Sequence, residues 1–342
     1  MIKMIHCSDI HLDAVMSGLP DKEKQEERRN EILLTFVRMV RYAAKNSIKA
    51  ILIVGDLFDS IHISPATIDI VEKCITGNRD IDFYYVAGNH EKDAFLRELS
   101  AIPENLKTFS DTRTYRYDSE KITITAADDP GELNLSPEDY NIVLYHGTIT
   151  PNAWKGKNID YLALGHFHEL KEGSLGSRGR YCYSGCLEGR GFDECGEMGF
   201  IRLNIINGIM EPIFMQASKR TIHKVEVDIT EANGTGDADF LISDALQRQN
   251  IPADDLVKIV LRGNSSPDIN VGFLSKKYSD DYYAVRIVDD TSYTGQETAG
   301  TQYDVSLKGE FIRMVMEKEW PENEKQEVIR LGTLALGGSR II

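Results

Sequence analysis

Residues 50–60 read AILIVGDLFDS, a short aliphatic run that ends at a glycine and an acidic residue. Such a run of β-branched and other aliphatic side chains is typical of a strand that is buried on both faces. Similar runs occur at Ile2–His6 and Phe83–Ala87. Apolar residues at helical spacing over about residues 21–47 and 67–76 lie between these runs. This alternation predicts an α/β fold, in which helical crossovers link the strands.

Beyond about residue 113 the pattern changes to short apolar or alternating segments. They lie at 115–127, 142–145, 161–164, 180–184 and 198–204. These segments predict a second sheet that packs on the first one. Near residues 217–221 the motifs end, and a new alternating strand begins at His223.

The chain is therefore predicted to have two domains. Residues 1–217 would form an α/β core, an α+β sandwich of two packed mixed β-sheets flanked by helices. Residues 218–342 would form a small α+β domain with a helix near 239–249 and strands at 257–261 and 283–288. A length of 342 residues, 42% of them hydrophobic, is enough for one large core and a second smaller one.

Composition limits the class of protein. We find no signal peptide and no apolar stretch long enough to span a membrane, and five sparse cysteines indicate a reducing cytoplasm rather than a disulfide framework. The net charge of −15 argues against a generic basic nucleic-acid binder. If the substrate is nucleic acid, bound cations, a local basic patch or a partner must supply the attraction.

Five short polar motifs each directly follow an apolar run. They are Asp9-x-His11, Gly55-Asp56-x-x-Asp59, Gly88-Asn89-His90-Glu91, His146-Gly147 and Gly165-His166-x-His168. Side chains beyond the carboxyl ends of strands converge in α/β folds. Any one of these residues alone is better explained as a turn former or a core-edge histidine. The repetition of the pattern favours a common site.

The residue types indicate what such a site does. Two divalent ions about 3.5–4 Å apart can grip a phosphate, lower the pKa of a bridging water and neutralise charge in the transition state. The ion pair needs one carboxylate that bridges both ions, with imidazole and oxygen ligands on either side. Carboxylate, amide and imidazole groups are all present in the five motifs. The sequence therefore predicts a two-metal phosphoesterase.

The order D-x-H, G-D-x-x-D, G-N-H-E, H-G, G-H-x-H resembles the calcineurin-like metallophosphoesterases over roughly residues 1–217. The resemblance implies that one metal is held by Asp9, His11, Asp56 and His168, and the other by Asp56, Asn89, His146 and His166. It also implies that His90 is the catalytic residue, which protonates the leaving oxygen or polarises the phosphate. Manganese is the metal we expect from the resemblance, and iron, zinc or magnesium also suit these ligands.

Further motifs resemble one branch of that superfamily. The stretches SDIHLD (8–13), GDLFDS (55–60), YSGC (183–186) and GRGFDE (189–194) are similar to those of the SbcD and YhaO type of bacterial DNA repair nuclease. Protein phosphatases of the superfamily usually have an arginine and a glycine where Ser60 and Ile61 follow Asp59. The resemblance therefore implies a metal-dependent DNA exonuclease and endonuclease of repair or recombination.

The same resemblance implies a C-terminal capping domain that helps to place DNA. It implies an SbcC-like SMC/ABC ATPase as the partner, and it leaves a homodimer open. Some relatives carry a histidine at the position of Asp59, so this chain is not expected to have their second phosphate-stabilising imidazole there. We expect Asp59 and Arg190 to contact either the metal ligands or the phosphate. Two alternatives stay open. A small-molecule phosphodiesterase of the cyclic-nucleotide type uses nearly the same ligands, whereas a catalytically silent scaffold would lack some of them.

Overall fold

The computed structural model describes residues 1–19, 21–109, 113–264, 269–291, 307–321, 324–325, 327–329 and 331–332. The strands are β1 (Ile2–Cys7), β2 (Ala50–Val54), β3 (Asp82–Val86), β4 (Leu106–Thr108), β5 (Thr114–Tyr117), β6 (Ile122–Ala126), β7 (Tyr140–His146), β8 (Tyr161–Gly165), β9 (Lys171–Ser174), β10 (Arg180–Tyr183), β11 (Gly199–Ile206), β12 (Ile209–Gln216), β13 (Ile222–Asp228), β14 (Leu256–Arg262) and β15 (Ala284–Asp289). The helices are α1 (Lys22–Lys45), α2 (Pro65–Thr76), α3 (Ala94–Glu98), α4 (Pro151–Trp154), α5 (Thr235–Gln249), α6 (Val271–Tyr278) and α7 (Leu307–Met316).

The chain divides into two compact units, Met1–Ile222 and His223–Ile342. The sequence analysis places the boundary earlier, after residue 217. The segment between these two positions stays with the first unit because its polar groups are held there. The Lys219 backbone N–H donates to a Glu188 carboxylate oxygen at 2.6 Å, and the Arg220 Nε donates to Glu31 Oε1 at 3.0 Å.

Two mixed sheets form the first unit. The first sheet has the order β12-β11-β1-β2-β3-β4, in which β1 to β4 run parallel and β11 runs antiparallel to β1. The second sheet has the order β5-β6-β7-β8-β10-β9, in which β6, β7, β8 and β10 are parallel. The predicted fold, two mixed sheets flanked by helices, is confirmed. The parallel strands bring several carboxyl ends to the same edge of each sheet.

The two sheets pack face to face over a shared apolar core. Leu52 and Tyr84 from the first sheet belong to the same buried cluster as Ile124 and Leu144 from the second. Every residue of β2 is buried, which is typical of a strand with a layer on each face. Helix α1 buries a stripe of side chains that contains Ile32, Phe36 and Met39.

The second unit contains a three-stranded sheet of order β13-β14-β15, in which β14 and β15 are parallel. Its core joins Val225 and Ile259 of the sheet to Ile242 of α5 and Leu274 of α6. This arrangement is a small α+β unit. No helix formed by the residues that the structure describes is long and apolar enough to cross a membrane.

His6 is a fully buried histidine that ties the two sheets together. Its Nε2 lies 3.2 Å from the Leu164 carbonyl oxygen and its Nδ1 lies 2.9 Å from the Tyr161 hydroxyl. A carbonyl oxygen only accepts, so Nε2 donates and Nδ1 accepts from the hydroxyl. Burial lowers the pKa of His6 from 6.5 to about 3, although the bond to Leu164 opposes the shift.

We expect His6 to make the first unit sensitive to acid. The unfolded chain takes up a proton as the pH falls below 6.5, whereas the folded chain stays unprotonated down to about 3. Stability from this group is therefore complete above pH 6.5 and is lost at about 1.4 kcal/mol per pH unit as the pH falls. Urea unfolding followed by fluorescence of the buried Trp154 would measure it. His6→Gln should flatten this slope; parallel slopes for both proteins would contradict the prediction.

Candidate metal centre

The predicted ligands gather at the carboxyl ends of strands from both sheets. Asp9 and His11 follow β1, Asp56 follows β2, and Asn89 and His90 follow β3. His146 is the last residue of β7, and His166 and His168 follow β8. All eight therefore project from one edge of the sandwich, and the contacts between their side chains define the site.

One group of ligand atoms surrounds His11 and His168. Single ligand atoms of Asp9, His11 and His168 all lie within 4.8 Å of one another. The two Nε2 atoms of the histidines are 3.3 Å apart, and His168 Nε2 is 3.7 Å from Asp9 Oδ1. The three side chains form one half of the site.

A second group surrounds His146. Ligand atoms of Asp9, Asp56 and His146 also lie within 4.8 Å of one another. His146 Nε2 is 3.2 Å from Asp56 Oδ2 and 3.2 Å from the Asn89 amide oxygen. The His166 ring lies beside it, with ring centroids 5.7 Å apart.

Asp56 faces both groups. Its Oδ2 atom is 3.2 Å from His146 Nε2 and 3.9 Å from His11 Nε2. A carboxylate between two sets of imidazoles has the position that a bridging ligand requires. The structure thus brings together the residues that the sequence analysis assigned to two metals, and it places Asp56 between them.

The chemistry of these donors fits a pair of divalent cations. Asp9 and Asp56 are buried, and no lysine or arginine among the described residues forms an ion pair with either. Buried carboxylates without a cationic partner are costly. A bound metal ion would supply the missing positive charge, and nitrogen and oxygen donors suit manganese, iron or zinc.

The histidines are oriented by acceptors behind them. His146 Nδ1 lies 2.9 Å from the Val54 carbonyl oxygen, and His168 Nδ1 lies 2.6 Å from Glu194 Oε1. Because these oxygens accept, each Nδ1 carries a hydrogen, and loss of the second ring proton frees the lone pair of Nε2. Both lone pairs belong to the nitrogens that face the cluster, as metal ligation requires.

Burial and partner charges shift the pKa values of these groups. Burial raises the pKa of Asp9 above its usual range. Burial would also raise the pKa of Asp56, but the hydrogen bond and charge of His146 outweigh it and hold this pKa well below its usual range. The hydrogen bond to Glu194 raises the pKa of His168 despite burial. Metal binding would displace protons here and should strengthen as the pH rises.

The backbone at the site is bent to make room for the ligands. Asp9, His11 and Asp56 all have φ near 50°, in the left-handed region. A Cβ on Gly88 would lie 1.9 Å from Asp56 Oδ1, and a Cβ on Gly55 would lie 2.1 Å from His146 Nδ1. Only glycine therefore fits at these two positions. The two glycines therefore allow the close approach of the ligands that follow neighbouring strands.

His90 stands at the open side of the site. Its Nε2 is 4.0 Å from Asp56 Oδ2, and its side chain is 41% exposed. Its Nδ1 donates to the Asp59 carbonyl oxygen at 2.9 Å. With that hydrogen fixed on Nδ1, the Nε2 atom carries a proton only when the ring is an imidazolium. The cationic ring can then donate a proton to a leaving oxygen or polarise the phosphate.

Asp59 and Arg190 contact the ligands in this structure. Asp59 Oδ1 is 3.1 Å from His11 Nδ1, without the alignment of a good hydrogen bond, and 2.9 Å from Arg190 NH1. Arg190 also pairs with Glu194 at 2.7 Å. The guanidinium is therefore directed at carboxylates.

Two glutamates near the site are members of motifs quoted from the sequence, and the structure shows what each of them contacts. Glu194 binds His168, and its position inside the GRGFDE stretch was the available signal. Glu91 is completely buried, and its Oε1 accepts from the Leu57 and Gly88 backbone N–H groups and the Tyr85 hydroxyl. Glu91 thus ties the second and third motif loops together. The adjacent Asn89-His90 pair was its only signal.

The fold and the ligand cluster define a metal-dependent phosphoesterase. Residues 2–170 match the family described as calcineurin-like phosphoesterase, and this part of the first unit belongs to the calcineurin-like metallophosphoesterase superfamily. The chain is 24% identical over 298 residues to the uncharacterized metallophosphoesterase YhaO of Bacillus subtilis (strain 168), covering 77% of this chain and 72% of that protein.

Solved structures overlap with the chain more weakly. A dimetal phosphatase from Danio rerio matches 64% of this chain and 99% of its own, with 11% identity and a TM-score of 0.43. The nuclease MPE of Pseudomonas putida matches 60% of this chain and 85% of its own, with 14% identity and a TM-score of 0.28. Overlaps at these scores carry no functional information.

Proposed function

We propose that this chain is a two-metal-dependent DNA exonuclease and endonuclease of the SbcD type that acts in DNA repair or recombination. The observation that carries the proposal is the open face of the metal centre. Asn89, His90 and His166 are exposed, whereas Asp9 and Asp56 lie buried beneath them. These three side chains, two expected metal ligands and the expected catalytic histidine, thus form a rim at the protein surface.

An exposed rim suits a polymer better than a small ester. Small ligands usually bind in concave sites that bury most of their surface. A phosphodiester in a DNA backbone can instead be reached from outside, with the flanking nucleotides lying on the protein surface. The SDIHLD, GDLFDS and GRGFDE stretches, which resemble those of the SbcD and YhaO type, support the same substrate.

Each part of the site has a distinct task in this proposal. The ligands would hold a pair of divalent ions, with manganese as our choice, which would neutralise charge on the phosphate and lower the pKa of the attacking water. Asp56 sits between the two groups of ligands and fixes their spacing. His90 presents Nε2 at the open side, from which the protonated ring would donate to the leaving oxygen of the substrate.

The proposal extends to partners and to the second unit. The net charge of −15 disfavours unassisted binding to DNA. We propose that the bound metal ions and an SbcC-like SMC/ABC ATPase supply the attraction, that the second unit acts as a DNA-placing cap, and that the chain works in the cytoplasm. A homodimer is compatible with these roles.

A small-molecule phosphodiesterase of the cyclic-nucleotide type is the alternative. It would use nearly the same ligands, but the exposed rim counts against it. A catalytically silent scaffold ranks last, because it would lack some of the expected ligands and the sequence retains all of them.

The test compares substrates in the presence of manganese. Linear double-stranded DNA, single-stranded DNA, cyclic nucleotides and bis-p-nitrophenyl phosphate would be incubated with the full chain, with and without EDTA. We expect EDTA-sensitive release of nucleotides from DNA. Hydrolysis of cyclic nucleotides without DNA cleavage would support the alternative. No hydrolysis of any ester by the metal-loaded protein would favour the scaffold.

A further inference from the structure

Both imidazoles of one ligand group have a carboxylate behind them. His168 Nδ1 is 2.6 Å from Glu194 Oε1, and His11 Nδ1 is 3.1 Å from Asp59 Oδ1. In each ring the other nitrogen, Nε2, faces the partner ring at 3.3 Å. Each of the two histidines that would share one metal therefore has a carboxylate beside its Nδ1, on the side of the ring away from the metal position.

A single arginine joins these two carboxylates. Arg190 NH1 donates to Asp59 at 2.9 Å, and its NH2 donates to Glu194 Oε1 at 2.7 Å. The Arg190 Nε and backbone N–H also donate to Glu194, at 3.1 and 2.7 Å. Nε, NH1 and NH2 are thus all engaged with carboxylates, so the guanidinium has little capacity left for a substrate phosphate.

The loop that carries Arg190 is itself anchored on α1 by buried polar contacts. Arg28 donates to the Gly189 carbonyl oxygen at 2.6 Å and to Glu188 at 3.2 Å, and Thr35 donates to Glu188 at 2.6 Å. Arg28 and Glu188 are each only 1% exposed. Arg190 is therefore placed before any metal arrives.

The other half of the site lacks this support. His146 is held through Nδ1 by the Val54 carbonyl oxygen, which belongs to the central strand β2. Backbone inside a sheet does not move when an arginine side chain is removed. The two metal positions should therefore depend on Arg190 to very different degrees.

We propose that Arg190 is a positioning residue that sets the metal affinity of the His11–His168 position and leaves that of the Asp56–His146 position unchanged. A carboxylate behind a ligating histidine fixes the ring and makes its free nitrogen more basic. Arg190 holds Asp59 and Glu194 in these places and offsets their mutual repulsion. Without it, both carboxylates can turn away from the rings. The inference rests on the proposed function only in requiring that the site binds divalent ions.

The test measures metal binding rather than catalysis. Manganese would be titrated calorimetrically into the metal-free full chain, wild type and Arg190→Met. We expect one of two binding events to weaken by about 10- to 100-fold and the other to stay the same. Arg178→Met is the matched control, because Arg178 forms a similar ion pair with Asp160 away from the metal ligands, at 2.9 Å. The control should match the wild type.

A second variant keeps the test decisive if Arg190→Met does not fold. Glu194→Gln preserves the shape of the side chain but removes the charge behind His168, and it should weaken the same single binding event. Equal weakening of both events, or no change in either, would overturn the proposal. Wild-type protein that binds two manganese ions but hydrolyses neither DNA nor bis-p-nitrophenyl phosphate would refute the proposed function and leave this inference standing.

Discussion

Replacing His90 by asparagine is expected to slow phosphodiester hydrolysis by about 10²- to 10⁴-fold, the usual contribution of a general acid. The His90 ring reaches the site with Nε2 at 4.0 Å from Asp56, at the open side of the ligand cluster. Asparagine cannot deliver a proton there or carry a positive charge. The loss should appear in hydrolysis of both DNA and bis-p-nitrophenyl phosphate.

Two controls separate catalysis from metal binding in this experiment. The manganese content of His90→Asn, measured by mass spectrometry, should stay at the wild-type value. His62→Asn is the matched control, because His62 is an exposed loop histidine in the segment that follows Asp59. That variant should keep full activity. Undiminished hydrolysis by His90→Asn would show that His90 does not have the assigned role.

Asp56→Asn should have an even larger effect, because it removes the carboxylate that faces both groups of ligands. Asparagine keeps nearly the same shape, so its oxygen can still accept the His90 backbone N–H as Asp56 Oδ1 does at 3.1 Å. The missing negative charge should weaken manganese binding at both positions by more than about 100-fold. This exceeds the loss of metal affinity that is typical when a residue behind a ligand is replaced. Hydrolysis should fall to background.

Asp13→Asn provides the matched control for that substitution. Asp13 also has positive φ, at 65°, and its carboxylate accepts from the Ser64 N–H and the Thr67 hydroxyl at the start of α2. It lies outside the candidate metal-binding groups of the described residues. Asp13→Asn should keep both manganese ions. Two tightly bound ions in Asp56→Asn would contradict the bridging assignment.

Much of the fold around the site follows from local sequence patterns. The predicted strand at residues 50–54 is β2 itself, because a continuous aliphatic run is compatible with a central buried strand. The sequence indicates other strands less clearly. The segment at 115–127 is the hairpin β5–β6, and β12 was missed. β12 contains Pro212, which weakens a strand pattern in general but is tolerated on the edge strand that β12 forms.

The convergence of the metal ligands was predictable because they follow strands of a recognisable pattern. The ion pair of Arg190 with Asp59 was not, since the two residues lie 131 positions apart in the sequence. A charged residue in a loop gives no local sign of which carboxylate it will meet. The difference between the predicted boundary after residue 217 and the division after Ile222 has a similar reason, because Glu31 and Glu188 hold residues that look like a linker.

The β11–β12 hairpin has a consequence for how the protein is made. It pairs with β1, so the strand that precedes Asp9 keeps an open edge until residues 199–216 have left the ribosome. Chains of this size fold through partly structured states, and unpaired edges expose them to aggregation. A growing chain should therefore lack a finished metal centre until its first unit is almost fully synthesised. This delay would keep the hydrolase inactive until its first unit is complete.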